Sequence, residues 1–580
     1  MQARCRLATF CIGVRALSAD LADNATRTEQ MDDRKTTTGA GYIASVLKGA
    51  GVRHLIGYPT SELFDAAAEL DIPPIMARSQ RVAVNIAEGC ARTAQGAEPV
   101  VVTVQYGPGV ESAFGGIAQA FNDRAPLLFL PTGYPRDSQG VAPNFEAQRS
   151  FQHITKWSER VSRTQDLPRL LHAALSRLRQ GSPGPVMLEL PADLLAEPFE
   201  PPAADWPLLP RSAPQADPAE IASVMRRLLN ADNPLILAGQ GVLAAGASEE
   251  LVAFAERFSI PVATTPNGKS AFPETHPLAL GAIGRARPAT VDHFLGKADI
   301  VLALGSSLTR SYYILPIPPD KTILQVTLDA ADIGKDYPVA QAVIGDARAV
   351  LRQMLDAGHP AREGRGLREE IAAVRRRFLE RWAPLLAADS HPISPYRVVG
   401  EMIAALDPAR TILTHDAGNP RDQLMPFYAA TMPGGYVGWG KTTQLGSSLG
   451  FAMGARLARP DRLCVALMGE AAFGMTGMDF ETAIRCDLPI LVVLLRNGVM
   501  GGSAAGMPKA TAKYGANRVT GRYAPIAQAL GGYGESVADP ADLRAALLRG
   551  IARVDGGQAA LIEVDTHEEP RLPGLWQKEL

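Results

Sequence analysis

The chain has 580 residues, 46% of them hydrophobic and 20% charged, a globular composition rather than a disordered or fibrous one. Its 58 Lys and Arg stand against 60 Asp and Glu, and a net charge of -2 gives no electrostatic case for nucleic acid or an anionic membrane as partner. Five scattered cysteines without a CxxC pair argue against a disulfide framework or a zinc site, and no apolar run approaches the ~20 residues of a membrane-spanning helix.

Residues 1–37 read as a disordered extension, with a targeting segment as the alternative, because the arginines around ATFCIGV are followed by Asp20, Asp23 and Glu29. From Gly39 onward the pattern alternates. GYIASVLKGAGV predicts an amphipathic helix stopped at Gly51, and HLIGYP a short strand running into a turn. SQRVAVNIAEGCARTAQG predicts a helix stopped at Gly96. PVVVTVQYGPG and PLLFLPTG read as buried strands. The proline-rich stretch from Glu197 to Pro218 reads as a linker. NPLILAGQG, SIPVATT, ADIVLALGSSL and KTILQVTLD then give a second α/β unit, followed by an arginine-rich helix. TILTHDAG, LCVALMGE, PILVVLLRNG and AALIEVD give a third. Continuous apolar runs between helices predict parallel sheets covered on both faces. The expected fold class is therefore α/β, with three doubly wound domains at about 38–205, 218–358 and 385–572.

The segment LCVALMGEAAFGMTGMDFETAIRCDLPILVVLLRNGVMGG carries the strongest chemical signal. One strand ends at Gly469-Glu470 and the next at Arg496-Asn497-Gly498. Neighbouring parallel strands present such ends on one edge, where ligands bind in open α/β sheets. A carboxylate, an amide oxygen and a loop carbonyl suit a hard divalent cation. This arrangement resembles the signature of thiamine-diphosphate (ThDP) enzymes such as acetolactate synthase, benzoylformate decarboxylase and oxalyl-CoA decarboxylase, and the likeness extends over about residues 39–570. The resemblance implies that Glu470, Asn497 and the Val499 carbonyl hold Mg2+. It implies that Gly418, Asn419, Leu445, Gly446, Gly469, Ala471, Ala472 and Met500 contact the cofactor. Leu445 would be the bulky residue that props thiamine into its bent form, with core packing as the alternative. Three residues depart from the signature: Glu470 replaces Asp, Ala471 replaces Gly, and Arg496 replaces the first of an Asn pair.

In the relatives a Glu faces the pyrimidine ring of the cofactor; the matching string here is Arg78-Ser79-Gln80-Arg81, which puts Gln80 at that place. A neutral amide can bond to the ring nitrogen without offsetting its charge. Two readings follow: an active enzyme with altered proton handling, or a cofactor-binding protein with weakened catalysis. Glu111, behind a Gly-Pro-Gly turn, reads either as a substrate-pocket carboxylate or as a helix-starting one. Thr60 and Ser61 replace the glycines of a Tyr-Pro-Gly-Gly turn and either face the substrate or serve turn chemistry. Lys156 aligns with a lysine of the relatives, with a surface lysine as the alternative. Gly501, Gly502, Ala504 and Ala505 suggest a mobile segment over the site. The middle domain of acetolactate synthases often carries FAD, and that of oxalyl-CoA decarboxylase ADP. Gly284-Arg285-Ala286-Arg287 stands where flavin-binding relatives show a glycine-flanked Met-His, so FAD is not expected. Gly239-Gln240-Gly241 reads as a tight turn.

The resemblance thus implies a ThDP- and Mg2+-dependent enzyme that decarboxylates or carboligates a 2-oxo acid or related carbonyl compound. A lyase of the 2-hydroxyacyl-CoA or oxalyl-CoA type, or a weakened ThDP-binding protein, are the alternatives. It also implies a homodimer or homotetramer whose sites draw Gln80 and Glu470 from two chains. The expected location is cytoplasmic.

Overall fold

A computed structural model describes residues 37–574, apart from 60, 97, 203–206, 439–440 and 443. The N-terminal extension and Thr60 lie outside the described residues. Thr37, expected in that extension, belongs to the first domain instead: Thr37–Thr38 pairs antiparallel with Pro198–Phe199.

Each domain is built on a parallel sheet. In the first, Pro74–Met76, Leu55–Tyr58, Val100–Val104, Leu127–Phe129, Val186–Pro191 and Thr132–Gly133 lie side by side in that order, and Trp157–Arg160 also pairs with Val186–Pro191. The second runs Ala279–Ala282, Val262–Thr264, Pro234–Ala238, Ile300–Leu304, Thr322–Thr327, Gln341–Ile344. The third runs Tyr436–Val437, Thr411–His415, Leu463–Gly469, Leu491–Arg496, Ala560–Asp565, Tyr533–Val537. Burial on both faces explains the unbroken apolar runs: Val100–Val104 and Leu463–Met468 have no exposed residue. Helix Leu367–Leu386 bridges two domains, with Ile371 in the core of the second and Phe378 and Trp382 in that of the third.

The first and third domains share one apolar core. It runs from Val82, Ile86 and Phe129 through Leu449 and Phe451 to Phe480 and Val492. Helices Gln80–Ala94 and Ser447–Ala458 form its centre. They meet almost backbone to backbone at three glycines. A Cβ at Gly89 would collide with the Phe451 backbone, one at Gly450 with Asn85, and one at Gly454 with the Ile86 carbonyl. Ser79 starts the first of these helices by accepting the Val82 N–H, and Gln95 and Gly96 end it in the left-handed region.

A buried polar cluster ties all three domains together. Arg92 lies 3.3 Å from Glu88 and 3.7 Å from Asp123, and its other guanidinium nitrogen donates to the Gly438 carbonyl. Asp123 accepts from Gln119 (2.6 Å) and from Asn267 of the second domain (2.8 Å). Two carboxylates share one cation here, and burial pushes the Glu88 carboxyl up to about 8 against the pull of Arg92. The folded carboxyl keeps its proton to about that pH, whereas the unfolded one releases it near its ordinary value. The resulting stability is complete below the unfolded value and is lost as pH rises through the folded one. Wild-type protein is therefore expected to lose about 1 kcal/mol between pH 7 and pH 9. Glu88→Gln should flatten that slope in thermal unfolding at graded pH; an unchanged slope would place the titration elsewhere.

Candidate active site

The third sheet changes direction between Thr411–His415 and Leu463–Gly469, since the chain leaves the former toward one edge and returns on its other side. Open α/β sheets bind ligands outside the carboxyl ends of their strands at such a switch. A cavity of about 310 Å3 lies there. Gly418, Asn419, Leu445, Gly469, Glu470, Ala471, Ala472, Asn497, Val499 and Met500 all line it. Tyr313 comes from the second domain, and among the described residues none of the lining comes from the first.

Glu470 and Asn497 are brought together by register: their strands are adjacent, with Gly469 opposite Leu495. The Glu470 carboxylate is 2% exposed. Its Oε1 accepts the backbone N–H of Asn497 (2.8 Å) and of Gly498. Gly498 has φ +75°, a conformation that side-chain-bearing residues disfavour, and this lets both N–H groups converge on one oxygen. The Oε2 of Glu470 is buried with no hydrogen-bond partner. Burial raises the Glu470 carboxyl, while the Gly498 and Asn497 amides and the Arg496 cation draw it back down. The Asn497 Oδ1 accepts from the Val499 N–H (3.1 Å). Arg496, one of the three departures, is turned away from the cavity. It pairs with Glu563 (2.8 Å) and Asp565 on the neighbouring strand.

The turn at Leu445 is held from several sides. Asp416, fully buried, accepts from Gly446 N–H at 2.9 and 3.0 Å, from Ser448 N–H at 3.2 Å and from Ala417 N–H at 2.8 Å. Burial pushes its carboxyl up to about 6 against those amides. Gly446, expected to contact the cofactor, does not itself line the cavity. With φ +89° it makes the turn that presents Leu445, and its carbonyl accepts from Thr476 Oγ1 (2.9 Å).

The expected flap is an excursion with stitched ends. Met500 N–H donates to the Asn517 carbonyl (2.7 Å), Val519 N–H donates to the Gly498 carbonyl (3.0 Å), and Val499 bridges Arg518. Between those feet lie the short helices Ser503–Gly506 and Pro508–Tyr514.

The chain belongs to the thiamine pyrophosphate enzymes. Models of that family match in three parts: the N-terminal TPP binding domain over residues 37–158, the central domain over 221–354 and the C-terminal TPP binding domain over 416–564. Among curated proteins, the probable acetolactate synthase large subunit of Methanocaldococcus jannaschii is 29% identical over 484 residues, 80% of each chain. The isozyme 3 large subunit of acetolactate synthase from Escherichia coli K12 is 29% identical over 492 residues, 80% of this chain and 83% of its own. A 2-hydroxyacyl-CoA lyase of Arabidopsis thaliana is 26% identical over 562 residues, 90% of this chain and 96% of its own. The chain is thus a ThDP-dependent enzyme of the carboligase and decarboxylase class. Among the described residues no helix is long and apolar enough to cross a membrane.

Within this thiamine pyrophosphate enzyme, residues expected from the first domain fall outside the cavity. Gln80 is the first residue of helix Gln80–Ala94, whose start is fastened to the third domain: Asp479 accepts from Arg78 N–H (2.7 Å) and from Ser79 Oγ (3.1 Å). Glu111 is exposed in the first turn of Pro108–Asn122, which supports the helix-starting reading. Ser61 accepts the Leu63 N–H and starts a helix, although it also borders an open first-domain cavity with Pro59, Gln105, Tyr106 and Thr132. Lys156 is neither a site residue nor a free surface lysine, since its ammonium caps the carbonyls of Arg177 (2.8 Å) and Gln180 (2.7 Å). Gly239, expected in a tight turn, instead caps the short helix Gln240–Ala244, and it and Gly241 pack closely against Gly305. Arg285 lies over Tyr312 and Arg287 pairs with Asp292. Asp416 and Thr476 escaped sequence reading, although Asp416 sits inside TILTHDAG as a carboxylate at the end of a buried strand.

Proposed function

We propose that this chain is a Mg2+- and ThDP-dependent enzyme that decarboxylates or carboligates a 2-oxo acid or a related carbonyl compound. The observation that carries the metal is the buried Glu470 Oε2, which has no hydrogen-bond partner. The donor set contains one carboxylate, and among the described residues no group of three or more His, Cys, Asp and Glu is placed to hold a metal. Glu470 Oε2, the Asn497 amide and the Val499 carbonyl fit an oxygen-seeking cation that fills its shell from a diphosphate. Bound ThDP supplies an electron sink for the bond that breaks or forms beside a carbonyl. The chain's own part is to bind and to shield. Gly418 and Asn419 face the diphosphate, Leu445 supports the ring system, and residues 501–516 keep water out.

Among the described residues the cavity takes no lining from the first domain, which carries its own open cavity of about 770 Å3. Two such halves suit a homodimer, or a dimer of dimers, in which each chain completes the other's site. A second reading, cleavage of a 2-hydroxyacyl-CoA, draws support from the near-complete span of the Arabidopsis relative. The experiment is turnover of the ThDP- and Mg2+-loaded protein on a panel containing pyruvate, glyoxylate, other 2-oxo acids and a 2-hydroxyacyl-CoA. Turnover of a 2-oxo acid supports the first reading, and turnover of the thioester alone supports the second. ThDP uptake without turnover on any of them supports a weakened, cofactor-binding protein.

A further inference from the structure

Four of the restraints on the Leu445 turn come from the third domain itself. Asp416 accepts from the Gly446 and Ser448 amides, Thr476 Oγ1 donates to the Gly446 carbonyl, and Ser447 Oγ donates to the Gln444 carbonyl (2.7 Å). The Leu445 carbonyl is held differently. The Arg81 guanidinium reaches it from the first domain, across 364 residues of sequence. Arg81 is half-buried, and the Asp416 carboxylate beneath the same turn offsets the cost of placing a cation there. It directly follows Gln80, the residue that stands at the place of the missing acid, and it grips the turn that presents Leu445 to the cavity.

We infer that Arg81 is a positioning residue of the ThDP site, setting Leu445 by holding its carbonyl from the neighbouring domain. The inference rests on the proposed function. The bond is not what docks the two domains. That contact is made by the close packing at Gly89, Gly450 and Gly454 and by the shared apolar core, all of which survive loss of the Arg81 side chain. What its loss removes is local: a carbonyl beside the cavity loses a charged donor, and the Leu445 side chain gains freedom that cofactor binding must then freeze out. Arginine suits the task because it stays charged when half-buried and fixes the direction of its bond. Lysine supplies the charge and a donor with less direction.

The test compares wild type, Arg81→Ala and Arg81→Lys in the full-length protein. Calorimetry gives the dissociation constant for ThDP with Mg2+ in excess, steady-state kinetics gives kcat and KM at saturating ThDP, and thermal unfolding is followed without cofactor. Arg81→Ala should weaken ThDP binding about tenfold, the loss of one bond to a charged group. It should lower kcat and leave substrate KM within about twofold. Its Tm without cofactor should stay within ~2 °C of wild type. Arg81→Lys should recover most of the binding and of kcat. ThDP affinity and kcat in Arg81→Ala within twofold of wild type would overturn the inference. So would a loss that Arg81→Lys does not relieve and that follows a lowered Tm. Wild-type protein that takes up no ThDP overturns the functional reading and this inference together, whereas uptake by wild type and Arg81→Ala alike overturns the inference alone.

Discussion

Glu470→Gln is expected to weaken joint uptake of Mg2+ and ThDP at least ~100-fold, because it removes the one carboxylate of the donor set. The two oxygens of Glu470 have separate duties. Oε1 is committed to the N–H groups of Asn497 and Gly498, which shape the loop, while Oε2 has no hydrogen-bond partner. A glutamine keeps an acceptor for the loop only by turning its NH2 toward the cation, and an amide NH2 is no ligand. If it turns the other way, the loop amides face a donor instead. Glu470→Asp keeps the charge but is one methylene shorter, so it cannot serve the loop and the cation at the same distances. It should lie between the other two. Calorimetric titration of ThDP with Mg2+ present is the measurement, and undiminished uptake by Glu470→Gln would falsify the metal assignment.

Gln80→Glu should accelerate deuterium exchange at the thiazolium C2 of bound ThDP by ~10²–10⁴-fold, the usual worth of a positioned acid–base group. A carboxylate there balances positive charge on the pyrimidine ring, which an amide cannot do. The position tolerates the change. Gln80 is the first residue of its helix, Ser79 supplies the cap, and an acidic side chain in a first helical turn is favourable. Quenched-flow exchange followed by NMR of the released cofactor measures the effect. An unchanged exchange rate with ThDP demonstrably bound would remove Gln80 from the place of the missing acid.

Much of the third domain was legible before any coordinates. Runs such as LCVALMG and PILVVLLR are too short and too continuously apolar for anything but strands buried on both faces, and each became one. The spacing of Glu470 and Asn497 then put their side chains on one edge, and ten of the eleven residues named for metal and cofactor within that domain do line the cavity, Gly446 being the exception. The domain nearest the N-terminus was harder. Glu111 and Lys156 carry chemistry-bearing side chains, but one is a solvent-exposed helix start and the other caps a helix end. No local pattern separates those roles from catalysis. Asp416 and Arg81 were missed for the opposite reason: their partners lie 30 and 364 positions away, and only a folded chain brings them together.

The apolar core common to the outer two domains has a thermodynamic corollary. Melting of either module would uncover apolar surface of the other, because helices Gln80–Ala94 and Ser447–Ala458 both lie in that core. That core is non-local in sequence. Its first stretch must wait during synthesis for residues some 360 positions downstream before its inner face is covered, and until then that face is a hydrophobic surface which a chaperone would recognise.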